Sequence, residues 1–399
     1  MDLAKFIELD RLAREDGKKY SKRRFIFEKI CQREGKHFVG IVGPRGAGKT
    51  ILLKQLACVQ KDSFYLSLDT VQENLFEIVK KLNQDLKINL FLIDEVHFHP
   101  QFDEGLKKIY DFLNVQLIFT SSTSLALFDS AYDLSRRVKL EKLYPFSFLE
   151  YLFFKHDLNL KPLSLRDIID KQWEMEIFRY ADTFREYLEG GILPFALQEP
   201  LVLPLLKNII NAVIMKDIPR VGKVPLDELE TIERMLAFIG KSSIDGINYS
   251  SLSQNLGITK YKAEQYVGFL EKAFILHRIF PKGTNVLREP KILMALPYRL
   301  LYKDFEEAIG GLREDFFVEV LKSLDINFYY LKSTRGAKTP DFLVPFKNEE
   351  IIFEIGGKGK GRQQFKGIEA KNKIILTHSL ESQGARRPLL LFGFLNQIE

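Results

Sequence analysis

Cysteine is scarce in this 399-residue chain: Cys31 and Cys58 are its only two, far apart in sequence. That excludes a disulfide framework and points to a reducing compartment. Nor is there any continuous apolar run approaching the ~18 residues that a membrane span requires, and no apolar leader follows Met1. A soluble, cytoplasmic protein with no membrane partner is the expectation. One-sided charge is missing too. Lys and Arg number 59 against 53 Asp and Glu, and the resulting net charge of +6 permits nucleic-acid binding without requiring it. Apolar material is plentiful: 46% of the residues are hydrophobic and the 33 Phe are scattered along the chain. At about 100–200 residues per domain, this length predicts two to four domains.

The most informative stretch is Gly43-Pro44-Arg45-Gly46-Ala47-Gly48-Lys49-Thr50, which satisfies the phosphate-loop pattern GxxxxGK[ST]. It follows the apolar run His37 to Val42 and opens a helical one from Ile51 to Leu56, the strand, turn and helix order that the pattern needs. Glycines let the backbone wrap a phosphate so that N–H groups and a helix N-terminus point at the anion. Lys49 reaches the terminal phosphates, and Thr50 offers its hydroxyl to magnesium. The second signature is Ile88-Asn89-Leu90-Phe91-Leu92-Ile93-Asp94-Glu95, a buried parallel strand closed by two acids. Asp94 is the candidate magnesium ligand and Glu95 the candidate general base for water. ATP and magnesium are the cofactors so implied. His97 and His99, lacking further ligands, read as packing or solvent-facing residues.

Other pieces fall into order around these two. Residues 1 to 36 are charged and helical in pattern, with a basic knot from Lys18 to Arg24 that reads as a solvated helix face. Phe64 to Asp69 is β-like, and a helical stretch runs from Gln72 to Leu82. Val115 to Ser122 is another buried strand, ending in hydroxyls; Ser121 or Ser122 is the candidate for sensing the lytic water. Arg136 and Arg137 precede the apolar segment Leu143 to Leu152, and one of them is a candidate arginine finger.

The phosphate loop with its Pro-Arg, Leu68-Asp69, Asp94-Glu95-Val96-His97, Thr120-Ser121-Ser122, Arg136-Arg137-Val138 and Leu143-Tyr144-Pro145-Phe146-Ser147-Phe148 resemble, in that order, a family of archaeal and bacterial AAA+ ATPases with a C-terminal restriction-endonuclease-like domain of unknown function. Gly190-Gly191-Ile192-Leu193-Pro194 and Lys216-Asp217-Ile218 are similar to later motifs of that family, so the resemblance covers nearly the whole chain. It departs at Ser121 and Arg136, where relatives usually carry glycine; Arg137 aligns with the family's arginine. The resemblance implies an α/β fold: a P-loop AAA+ core with a parallel sheet over 1–150, a helical lid over 151–225, a winged helix over 226–290 and a nuclease-like domain over 295–399.

Within the third segment, Tyr249 to Tyr261 reads as helix, glycine turn and helix, with Ser250 and Thr259 as N-caps and Leu252, Leu256, Ile258, Val267 and Leu270 as core. If this unit enters a major groove, Thr259, Lys260, Tyr261, Lys262 and Gln265 lie on its recognition helix; the alternative is a protein-packing module. In the last segment, Glu314 on a helix and then Asp341 and Glu354 on two strands match the acids of the PD-(D/E)xK pattern, which hold magnesium there. The lysine does not match: Gly356 stands in its place and Lys358 is the nearest candidate. Between 358 and 387, eight Lys or Arg against Glu369 and Glu381 form the clearest nucleic-acid footprint. The reading is an ATPase that acts on DNA as a homo-oligomeric ring such as a hexamer. Its rivals are a nucleotide-dependent switch of the signal-transducing kind and a nuclease regulated by ATP.

Overall fold

The computed structural model describes residues 3–32, 35–69, 71, 73–122, 134–219, 224–242, 246–283, 289–331, 339–357, 365 and 370–397. The chain divides into two compact units, Met1–Pro145 and Phe146–Glu399.

In the first unit, helices α1 (Leu3–Gly17) and α2 (Phe27–Cys31) precede β1 (Phe38–Val42), α3 (Lys49–Val59), β2 (Ser63–Ser67), α4 (Leu75–Leu86), β3 (Leu90–Asp94), α5 (Phe102–Phe112), β4 (Gln116–Ser121) and β5 (Val138–Lys142). The strands form one parallel sheet in the order β2-β3-β4-β1-β5. Helices cover both faces, so β1 and β3 are buried at every position, as an uninterrupted apolar run in a parallel sheet requires. Side chains alternate between the faces. Phe38, Phe64, Leu66, Phe91, Ile93, Leu117 and Phe119 pack with Leu75, Ile78 and Val79 of α4 and Leu106 and Ile109 of α5. Their neighbours Val39, Ile41, Tyr65, Leu90, Leu92 and Ile118 pack with Leu52, Leu53 and Leu56 of α3 and Phe27 and Ile30 of α2. Because all five strands run the same way, their carboxyl ends share one edge, where ligands of open α/β sheets bind.

The N-terminal segment corrects one expectation. The basic knot is not a helix face: residues 18–26 are irregular and join α1 to α2. Gln55 of α3 fixes this path, its Nε2 donating to the carbonyls of Tyr20 and Lys22 at 2.9 and 2.8 Å.

The second unit opens with α6 (Phe148–His156), whose N-terminus is closed by a capping box between Ser147 and Glu150. β6 (Leu163–Ser164), α7 (Leu165–Asp170), α8 (Ala181–Glu186) and α9 (Val202–Ala212) follow, with a break at Gly190, where φ is +142°. Next come α10 (Leu229–Lys241), α11 (Tyr249–Leu256) and α12 (Lys260–Lys272), then the antiparallel ribbon of β7 (Leu276–Ile279) and β8 (Lys291–Met294). Thr259 caps α12 by accepting the Lys262 N–H. The cap of α11 is Asn248, not Ser250: Asn248 and Ser251 exchange the reciprocal bonds, while Ser250 binds Glu289 through its N–H and hydroxyl.

The long helix α13 (Phe305–Ser323) then leads to β9 (Tyr329–Tyr330), β10 (Phe342–Phe346), β11 (Glu349–Gly356), β12 (Asn372–Thr377), β13 (Arg386–Pro388) and β14 (Leu395–Gln397), the last paired with β6. A second sheet has the order β13-β12-β11-β10-β9, antiparallel across β9, β10 and β11 and parallel across β11, β12 and β13. The three segments expected after residue 150 share one continuous core, running from Phe146 to Leu395. Aromatic rings knit it: Phe148 meets Phe394 at 5.4 Å and Phe184 meets Phe316 at 5.0 Å. Among the described residues no helix is long and apolar enough to cross a membrane.

Candidate functional site

The turn after β1 carries Gly43 to Ile51. Gly46 and Gly48 have φ of +84° and +89°, a region that L side chains rarely adopt, and Gly48 is the N-cap of α3. Gly43 is required by space: a Cβ there would lie 2.1 Å from the Leu143 carbonyl oxygen. Pro44 and Ala47 are tied by a turn, the Ala47 N–H donating to the Pro44 carbonyl at 3.3 Å. Arg45 lies over the Phe98 ring at 5.8 Å. Lys49 and Thr50 open α3, followed by Ile51. The buried Lys49 ammonium donates to the carbonyls of Gly43 and Pro44, at 2.8 Å each. Arg24, from the basic knot, braces the same turn. Its Nη1 donates to the Ala47 carbonyl at 2.7 Å and its Nη2 to the Tyr144 carbonyl at 2.8 Å.

The other half of the site follows from strand parity. Asp94 shares its face with Leu90 and Leu92, the side covered by α3, and so do Tyr65 of β2 and Thr120 of β4. All three meet. Tyr65 donates its hydroxyl to Asp94 Oδ2 at 2.9 Å, and Thr120 donates to Asp94 Oδ1 while accepting the Glu95 N–H at 2.9 Å. Burial, followed by the Asp94 charge, pushes the Tyr65 phenol well above its ordinary range, so it remains a donor.

Glu95 itself adopts a left-handed backbone, φ +52° and ψ +47°. Burial pushes its carboxyl above the ordinary value; Lys49 opposes that, Asp94 adds to it, and Arg45 and the Ser122 N–H oppose it. The enclosed Glu95 Oε2 makes no hydrogen bond among the described residues. It lies 3.3 Å from His97 Nδ1, and His97 Nε2 lies 3.1 Å from Ser122 Oγ, so a buried imidazole stands between the acid and the end of β4.

The fold therefore brings Arg45, Lys49, Asp94 and Glu95 together at the carboxyl edge of the sheet. These residues fit a nucleoside triphosphate with magnesium: Thr50 and Asp94 would hold the ion, and the glycine turn with the start of α3 would hold the phosphates. Magnesium, when bound, supplies charge neutralisation on the phosphate oxygens.

Two other expected residues sit elsewhere. Ser121 is fully buried in register with Val42 of β1, and it is Thr120 that touches Asp94. Arg137 is held by Asp111 of α5, its Nε and Nη2 donating at 3.0 and 3.1 Å, against the Tyr110 ring. The sequence reading missed Tyr65, Thr120 and Arg24. A phenol in the middle of a buried strand needs a partner for its hydroxyl, and that signal was there to be read.

A second polar cluster lies in the Phe146–Glu399 unit. Glu314 projects from the middle of α13 and forms an ion pair with Lys291 of β8, Nζ to Oε2 2.5 Å. Asp341 immediately precedes β10, its Oδ2 accepting the Ile355 N–H at 2.6 Å, and Glu354 is fully buried on the adjacent β11. Burial, then Glu314, push Asp341 up to about 7; Lys291 opposes and Glu354 adds. Lys358 lies outside the described residues. Among those described, no group of three or more His, Cys, Asp or Glu is arranged to hold a metal ion.

A five-stranded parallel sheet with its phosphate loop after β1 and its acid pair at the end of β3 defines a P-loop nucleotide-binding domain. Residues 35–152 match the AAA domain family, and residues 181–295 match a domain of unknown function, DUF8612. Over 426 residues the chain is 28% identical to the uncharacterised protein MJ1637 of Methanocaldococcus jannaschii, covering 94% of this chain and 89% of that protein. Among solved structures, the Aeropyrum pernix ORC1 protein in complex with DNA is similar at 12% identity and a TM-score of 0.28, over 79% of this chain and 93% of that one. The Thermotoga maritima RuvB Holliday junction branch migration motor is similar at 15% identity and a TM-score of 0.27, over 70% and 90%.

Proposed function

We propose that this chain hydrolyses ATP to ADP and phosphate and uses the turnover to bind and remodel DNA, or to move along it, as a homo-oligomeric ring. The observation that carries the ATPase reading is the Glu95 carboxylate. It is half-buried, one of its oxygens makes no hydrogen bond among the described residues, and it stands beside Lys49 and Asp94 at the carboxyl edge of the sheet. In that position Glu95 takes a proton from water as the water oxygen bonds to the γ-phosphorus, and the bond from that phosphorus to the β,γ-bridging oxygen breaks with its electron pair leaving on ADP. Lys49 would leave the two loop carbonyls for the γ-phosphate, and Asp94, oriented by Tyr65 and Thr120, would hold the metal with Thr50.

The DNA clause rests on two features: the basic residues after 357 and the helices α11 and α12 with their ribbon, read as a winged helix. Ion pairs reduce the free charge of α12, since Lys260 pairs with Glu289 and Lys262 with Glu228, whereas Tyr261 is exposed. The nuclease reading has its own support in the adjacent placement of Asp341 and Glu354 beside Glu314.

The deciding measurement is the steady-state ATPase rate with and without single-stranded, duplex and branched DNA, repeated on Lys49→Ala and Glu95→Gln. Both variants are expected to lose turnover by about 100-fold or more, with Glu95→Gln still retaining ATP. Normal hydrolysis by Glu95→Gln refutes the assigned base. A rate indifferent to every DNA form favours a nucleotide switch, and magnesium-dependent cleavage lost in Asp341→Ala favours the nuclease.

A further inference from the structure

A cavity of about 380 Å³ opens in the second unit where the end of α10, β8, the first half of α13 and the end of β11 converge. Four cations line it, Lys291, Arg299, Lys303 and Arg313. Two of them are already matched: Lys291 by Glu314, and Arg299 by both oxygens of the buried Asp315 at 2.6 and 2.9 Å. Arg313 is different. Its Nε–H is fully enclosed and has no hydrogen-bond partner among the described residues, and no carboxylate among them pairs with its guanidinium. A guanidinium cannot escape burial by releasing its proton, so a half-buried one without a carboxylate partner favours an anion within reach of its Nη groups.

Glycines keep the approach to this group open. A Cβ at Gly310 would meet nothing within 4 Å, so space adjoins the helix there, whereas a Cβ at Gly357 would come within 3.4 Å of Arg313 Nη1. Of the two carboxylates in the lining, Glu314 is neutralised by Lys291 and Glu307 is exposed. The cavity thus offers the Nη groups of a guanidinium with no carboxylate partner among the described residues, a second cation in Lys303, and more room than one small anion fills.

We propose that this cavity is a phosphate-binding site of the second unit, in which Arg313 and Lys303 hold the anion and the remaining volume takes the organic group that carries it. A phosphate matches the guanidinium in charge and in its several oxygens. It can come free in solution or at the end of a nucleic acid strand. The site is separate in sequence and chemistry from the phosphate loop, and it stands whether or not ATP is hydrolysed there.

The test uses the full chain carrying Lys49→Ala, so that the phosphate loop does not compete for the probe. Calorimetry is run with inorganic phosphate, with a 5′-phosphorylated single-stranded oligonucleotide and with the same oligonucleotide lacking the phosphate. Phosphate-dependent binding is expected, reduced tenfold or more by Arg313→Gln. Gly310→Met, which fills the space while leaving every charge in place, is expected to weaken binding too and serves if Arg313→Gln fails to fold. Equal uptake of inorganic phosphate and phosphorylated oligonucleotide identifies the free anion as the ligand; uptake of the oligonucleotide alone identifies the strand end. Absence of binding by both phosphate probes, or binding indifferent to both substitutions, overturns the proposal. ATP turnover of Arg313→Gln in the otherwise native chain is expected to stay within twofold of native.

Discussion

Glu95 is half-buried beside another acid, yet the proposed chemistry needs it ionised. Since burial raises its proton affinity, the acid form persists to higher pH than for an exposed glutamate, and turnover is expected to fall with decreasing pH earlier than an ordinary carboxylate would dictate. A pH–rate profile of native protein shows this as an acid limb above the ordinary glutamate value; a limb at that value removes the argument. His97 Nδ1 lies 3.3 Å from this carboxylate while Ser122 meets the far side of its ring, which makes His97 the candidate positioning residue. His97→Ala should lower kcat about tenfold with little change in KM, and His97→Asn should recover part of it. Asp341 gives a stability prediction of definite sign. Its folded value of about 7 lies above the unfolded one, so its contribution is present at low pH and lost as pH rises through 7. Asp341→Asn, which keeps an acceptor for the Ile355 N–H, should therefore raise stability by about 1–2 kcal/mol at pH 8.5 and by much less at pH 5, read from thermal melts. The motif residues Lys49, Thr50, Asp94 and Glu95 were legible because their chemistry dictates spacing. Tyr65 and Thr120 were not, since a hydroxyl's partner is set by the register between strands that are distant in sequence.

At the scale of elements, β1 with its turn organises the first unit. Gly43→Ala forces a Cβ to within 2.1 Å of a backbone oxygen, and backbone cannot swing aside as a side chain can. A loss of about 2–4 kcal/mol is expected, with nucleotide affinity falling alongside, since the turn itself must shift. Measured stability equal to native would show that the segment after β5 yields freely. Arg24 braces that turn through carbonyls far apart in sequence, which is why a run of seven mostly basic residues looked like a solvated helix face. The strands β1, β3 and β4 were legible to within two residues because unbroken apolar runs of that length fit a parallel sheet. The cap of α11 was misassigned because Asn248, Ser250 and Ser251 are all cap-forming residues, and the choice turned on Glu289, which claims Ser250 from outside the helix.

For the whole molecule, the basic tail and the candidate finger both change meaning once partners are seen. Arg387 is buried, donating to the carbonyls of Ile168 and Ile169, and Lys371 pairs with Glu349, so part of the apparent nucleic-acid footprint holds the second unit together. Arg137 is likewise held by Asp111 within its own subunit. If it serves the active site of a neighbouring subunit in a ring, assembly has to draw it away from Asp111, and the two roles separate in a mixing experiment. Arg137→Ala and Lys49→Ala are each expected to be nearly inactive. Mixed in equal amounts, they generate sites in which an intact phosphate loop faces an intact Arg137, about a quarter of the total if subunits assemble at random. Activity should return to about that fraction of native. A mixture no more active than its parents places Arg137 in service of its own fold. In that case Asp111→Ala should lower the melting temperature of the first unit without altering the rate per folded molecule, whereas a true finger released from Asp111 should leave turnover intact or faster.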